Sequence, residues 1–142
     1  MRAILCVVAS AVCLVASGCG SSDTYSADDV TQAFGGQRLE LSPLANDELG
    51  SRQAGLDASG AKLFQPRRLE DYYVVIVLPD DVAAKAWRAY VAAGADANTF
   101  NARRANVLVI ADDGVRAETR KRIVAALAAL PDRGDRVVTL RA

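Results

Sequence analysis

Apolar and polar positions divide this chain into two unlike parts. Residues 3–15 are almost wholly apolar, interrupted only by Ser10. Everything after residue 20 is punctuated by short polar turns. Within that second part, Ser26 followed by Asp28 and Asp29 predicts a helix start, because a serine side chain caps the free N–H groups and carboxylates suit the first turn. Val30, Ala33 and Phe34 give it a buried stripe, and Gly35-Gly36 offer a stop. Residues 38–41 alternate polar with apolar, a short strand ending before Pro43.

Residues 45–62 carry Gly50, Gly55 and Gly60 without a period and read as a long mobile loop. The continuous β-branched and aromatic run at 72–78 predicts a central strand. A helix is expected over about 81–93, with Ala83, Trp87, Tyr90 and Val91 at helical spacing. A compact strand follows at 106–111. A helix from 115 to about 130 places Val115, Thr119, Ile123, Leu127 and Leu130 on one face. Residues 136–140 suit a last edge strand.

The expected order is α-β-β-α-β-α-β. The fold class it implies is α+β, a small two-layer sandwich with helices packed on one face of a sheet of three to four strands. Connections from 72–78 to 106–111 and from there to 136–140 are expected to be parallel crossovers. A ferredoxin-like arrangement accommodates the leading helix and the long loop poorly.

The apolar N-terminal run changes the picture of location. Thirteen helical residues reach about 20 Å, short of the ~30 Å hydrocarbon core, so the run reads as the apolar region of a signal peptide. Met1 and Arg2 precede it, and Leu14-Val15-Ala16-Ser17-Gly18-Cys19 closes it. This closing segment resembles the lipobox of bacterial lipoproteins, with Ala16 where that family usually has leucine. The resemblance covers residues 1–19 only. It implies cleavage between Gly18 and Cys19, removal of 1–18, and an S-diacylglyceryl group on Cys19, with an added N-acyl chain such as palmitate in many members. Residues 19–25 would then form a lipidated N-terminus and short tether, and 26–142 a single domain. The implied localisation is export, with lipid anchoring to the bacterial membrane facing the exterior or periplasm.

Cysteine and charge counts agree with that reading. Cys6 and Cys13 leave with the leader, so Cys19 is the one thiol kept, and two acyl chains anchor stably where one does not. Losing Arg2 leaves 16 basic and 17 acidic residues, a net charge of about −1, with no basic stripe for nucleic acid. The chain has no histidine, which removes histidine-based triads and metal sites together. No cofactor and no metal are expected.

Motifs add little. Ser59-Gly60-Ala61-Lys62 fits S-x-x-K but lacks its companion motifs, and Gly55 to Lys62 misplaces the lysine of a P-loop. The pairs Asp28/Asp29, Asp80/Asp81 and Asp112/Asp113 all sit at expected helix starts, which accounts for them by capping. If Asp80, Asp81, Asp112 and Asp113 follow parallel strands, they share one sheet edge, the tentative ligand edge. Arg67/Arg68, Arg103/Arg104 and Arg116/Arg120 could grip phosphates or wall carboxylates, but a solvated helix face is the first reading, with Arg116 and Arg120 four apart on one helix. Trp87, Tyr72, Tyr73 and Tyr90 read first as core. The function these features favour is a membrane-anchored, non-catalytic binding or accessory module of the cell envelope, with an envelope protein or cell-wall ligand as partner. The alternative is a small histidine-free hydrolase or transferase using aspartates at strand ends.

Overall fold

A computed structural model describes residues 24–45, 60–68, 70–79 and 99–140 of the 142-residue chain. Cys19, the leader, Asp80, Asp81 and the helix expected at 81–93 lie outside the described residues. Among the described residues the order is α1 (Ala27–Gly36), β1 (Leu41–Leu44), β2 (Lys62–Pro66), β3 (Tyr73–Val77), β4 (Phe100–Arg104), β5 (Val107–Ala111), α2 (Ala117–Ala128) and β6 (Val138–Leu140). The α+β class holds. The sheet, however, has six strands in the order β1-β2-β3-β5-β4-β6, with every neighbouring pair antiparallel.

The first helix forms as its sequence requires. Ser26 and Asp29 build a reciprocal capping box: the Asp29 N–H donates to Ser26 Oγ at 3.1 Å, and the Ser26 N–H donates to Asp29 Oδ2 at 2.9 Å. The bonds that Asp29 accepts from Ser26 hold its carboxyl below the usual value. The stop differs from expectation. Gly35 and Gly36 are both helical, and the left-handed position falls to Arg38, with φ 60. The Arg38 N–H bonds Gly35 O, and the Leu39 N–H reaches back to Phe34 O, closing a Schellman turn on a residue that carries a Cβ.

That turn consumes residues 38–40, so β1 begins later than predicted and includes Pro43. Proline is tolerated because β1 is an edge strand, where one side of the backbone needs no ladder partner. Lys62, expected in a loop, opens β2.

The strand order corrects the expected parallel crossovers. Phe100–Arg104 forms a hairpin with Val107–Ala111 through the two residues Ala105 and Asn106. This added strand reverses the chain, so β5 meets β3 antiparallel, Tyr73 opposite Ala111 and Val77 opposite Val107. β5 and β6 share a direction across α2, with β4 inserted between them, and β3 and β4 share a direction with β5 between them.

Alternation along the strands defines two apolar clusters. Tyr73, Val75, Val77, Val107 and Val109 pack with Val30 and Phe34 of α1 and Ile123 and Leu127 of α2. All five residues expected on the α2 face are buried, Val115, Thr119, Ile123, Leu127 and Leu130. The opposite face carries Leu63, Ile76, Leu78, Leu108 and Ile110. These are shut off from solvent as well. Truncating Phe34 to alanine would cost about 3–5 kcal/mol.

Candidate functional site

The two helices run antiparallel in effect, so each end of the pair gathers one helix start and one helix stop. At the first end α2 finishes beside the start of α1, and the side chains of Arg104, Tyr25 and Asn106 are all engaged. Arg104 turns inward from β4, 5 % exposed, and its Nη1 donates to the carbonyls of Leu127, Ala128 and Leu130 at 2.8 to 3.1 Å. Its Nη2 reaches Pro131 O and its Nε reaches Asp135 at 3.3 Å. A guanidinium thus closes the C-terminus of α2, where carbonyls lack helical partners.

Tyr25 lies between Arg104 and Arg133, each guanidinium about 5 Å from its ring centroid. Its hydroxyl sits 2.7 Å from Asp135 Oδ1 and 2.9 Å from Pro131 O. Burial, then the hydrogen bond and charge of Asp135, pushes its phenol up to about 12. Asn106 completes the cluster. Its amide exchanges bonds with both backbone groups of Tyr25 and donates to Leu78 O at 2.9 Å. Tyr25, assigned to the tether by sequence, is therefore part of the folded domain, 2 % exposed.

The other end is organised around Asp71. The start of α2 has no side-chain cap of its own, since its N-cap position is Arg116. Asp71, from the turn before β3, supplies one from a distance. It accepts from the Arg116 N–H at 3.1 Å, from Arg116 Nε at 2.8 Å and from the Thr119 hydroxyl. Burial works to raise its carboxyl, but the bonds from Thr119 and Arg116 outweigh it and hold it below the ordinary value.

Beside this cap opens a cleft of about 450 Å³, walled by the end of α1, the turn before β3 and the first turns of α2. Four guanidiniums line it, from Arg38, Arg68, Arg116 and Arg122, against three carboxylates, Glu40, Glu70 and Asp71. Arg116 is committed to Asp71 and to Glu70 at 3.2 Å, and Arg122 to Glu118 at 3.3 Å. Glu40 pairs with Arg67 at 3.7 Å. Arg38 and Arg68 make no ion pair among the described residues. Tyr73 also lines the cleft, 1 % exposed, and its hydroxyl has no hydrogen-bond partner among the described residues. Burial, with the Asp71 charge adding to it, pushes that phenol up to about 12, so it remains a donor at neutral pH.

Comparison with family models, with curated proteins and with solved structures finds no match to the chain. The cleft must be read from its own chemistry.

The expected sites fall as follows. Asp112 and Asp113 are exposed in the turn after β5, at the end of the sheet where β3 begins. Because β3 and β5 are antiparallel, their C-terminal ends point to opposite edges. The edge expected to unite Asp80, Asp81, Asp112 and Asp113 loses its basis. Lys62 of the S-x-x-K motif starts a strand, not a helix. Among the described residues no cluster of three metal-ligating side chains occurs, and no helix is long and apolar enough to cross a membrane. Arg120 is spent on the carbonyls of Val115 and Asp113 and lies over the Phe100 ring.

Of the arginines singled out by sequence, Arg68 and Arg116 reach the cleft. Asp71 and Arg38 were missed. The one available signal was the missing cap at Arg116, which required a carboxylate or hydroxyl from elsewhere.

Proposed function

We propose that this protein is an exported bacterial lipoprotein, acylated at Cys19, whose domain is a non-catalytic binding module of the cell envelope with the cleft as its ligand seat. The observation that carries the binding reading is the imbalance inside the cleft. Its carboxylates have partners, whereas Arg38, Arg68 and the Tyr73 hydroxyl lack them among the described residues. Burying a polar hydroxyl without a partner costs about 1–3 kcal/mol, and a ligand that satisfies it recovers that cost.

Hydrolase chemistry finds less support. A general acid near neutrality needs a raised carboxyl pKa, and Asp71 is held in the opposite direction by the three hydrogen bonds it accepts. Asp112 and Asp113 are exposed. The anchor rests on Leu14 to Cys19 and its resemblance to the lipobox. The partners this reading names are the membrane, through the lipid, and an envelope protein or cell-wall component; nucleic acid is not among them.

Radiolabelled palmitate fed to the producing cells should enter the wild-type chain and follow it into the detergent phase. Cys19→Ala should take up no label and accumulate with residues 1–18 attached. Wild-type protein recovered wholly from the medium, without added lipid mass, would overturn the anchor.

A further inference from the structure

We infer that the cleft binds a phosphomonoester group, held by Arg38 and Arg68 with the Tyr73 hydroxyl donating a third contact. This rests on the reading of the cleft as a binding site and assigns its ligand chemistry. Three observations carry it. The two guanidiniums that line the cleft without ion pairs among the described residues supply two positive charges, which a phosphomonoester dianion neutralises and a single carboxylate does not. Guanidinium forks match the tetrahedral oxygens of phosphate, and two forks plus a phenol offer more donors than a carboxylate's two oxygens can use. Tyr73 is part of the cleft wall and its hydroxyl is buried without a hydrogen-bond partner among the described residues, so an anionic oxygen that reaches it meets a donor already stripped of water.

Position favours a free ester over a membrane phosphodiester. Tyr25 fixes the N-terminal entry of the chain beside the start of α1, and the cleft lies at the end of α1. Ten helical residues separate them by about 15 Å. The cleft therefore lies at the end of α1 opposite the chain's entry.

The test uses the full chain in detergent micelles, titrated calorimetrically at constant ionic strength with inorganic phosphate, methyl phosphate, dimethyl phosphate and acetate. Saturable binding of phosphate and methyl phosphate is expected, with dimethyl phosphate and acetate at least about tenfold weaker. The double variant Arg38→Gln/Arg68→Gln should weaken methyl phosphate by about a hundredfold, and Tyr73→Phe by about tenfold. Tyr73→Phe should also leave the urea midpoint of the free protein unchanged or raised, because it deletes an unpaired hydroxyl. A merely structural tyrosine would lower it. Equal affinity for dimethyl phosphate would overturn the monoester assignment in favour of a lipid headgroup. Equal affinity for acetate would overturn it in favour of a carboxylate. Both of those results leave the cleft standing as a binding site. No saturable heat with any of the four, or heats unchanged in the variants, would overturn the phosphate site, and binding failure of this kind is independent of the Cys19 labelling result.

Discussion

The two ends of α2 hold similar residues in opposite states of satisfaction. At its C-terminus Arg104 is surrounded by four carbonyls and a carboxylate, and Tyr25 and Asn106 are bonded on every side. At its N-terminus Asp71 is equally well held, but among the described residues the next shell outward keeps two guanidiniums without ion pairs and a buried hydroxyl without a partner. A closed polar network fixes a fold. An incomplete one of the same composition keeps binding capacity in reserve, at a cost in stability. Arginine at both ends therefore means different things, and composition alone does not separate them.

The sharpest way to break the contrast is Arg104→Met. Removing the guanidinium leaves buried carbonyls and Asp135 uncompensated, and urea denaturation should report a loss of about 3–5 kcal/mol. A loss as small as that of an exposed arginine would show that the closed end carries no special weight. Asp71→Asn comes next, at about 1.5–3 kcal/mol, since the amide keeps one acceptor oxygen and puts an NH2 donor where the second oxygen accepted a bond. Its pH signature has a definite sign. The Asp71 carboxyl is held below its ordinary value of 3.8, so its contribution is complete above that value and disappears as pH falls through the folded value. Urea midpoints measured downward from pH 6 should fall less steeply for Asp71→Asn than for wild type; parallel curves would remove Asp71 from the acid limb.

The smallest effect concerns the turn between α1 and the cleft. Gly36 is helical, and a Cβ added there meets nothing within 4 Å. Gly36→Ala should stabilise by about 0.5–1 kcal/mol in the same urea assay while leaving the cleft arginines in place. A loss would mean that the Schellman turn at Arg38 needs the glycine before it.

What the pattern of residues could disclose followed from how local each cause is. Capping at Ser26, the apolar stripe of α2 and the runs at β3 and β5 are local, and each was legible. The strand β4 was not. Its sequence Phe100-Asn101-Ala102-Arg103-Arg104 looks polar because the inward Arg104 answers carbonyls 23 to 27 residues later. Missing that one strand also inverted the expected direction of β5, and with it the aspartate edge. The cleft was half legible. Arg68 sits in a visible arginine pair, but Tyr73 inside a strand reads as core, and nothing local marks Asp71 as the cap of a helix 45 residues on.

Tyr25 carries a consequence for the order in which the chain folds. Its partners are Asn106, Pro131 and Asp135, from 81 to 110 positions further along. Closing so long a loop is slow and cannot begin until nearly all of the chain is available. The entry to α1 is thus among the last parts of the domain to be locked in place, although it lies first in the chain.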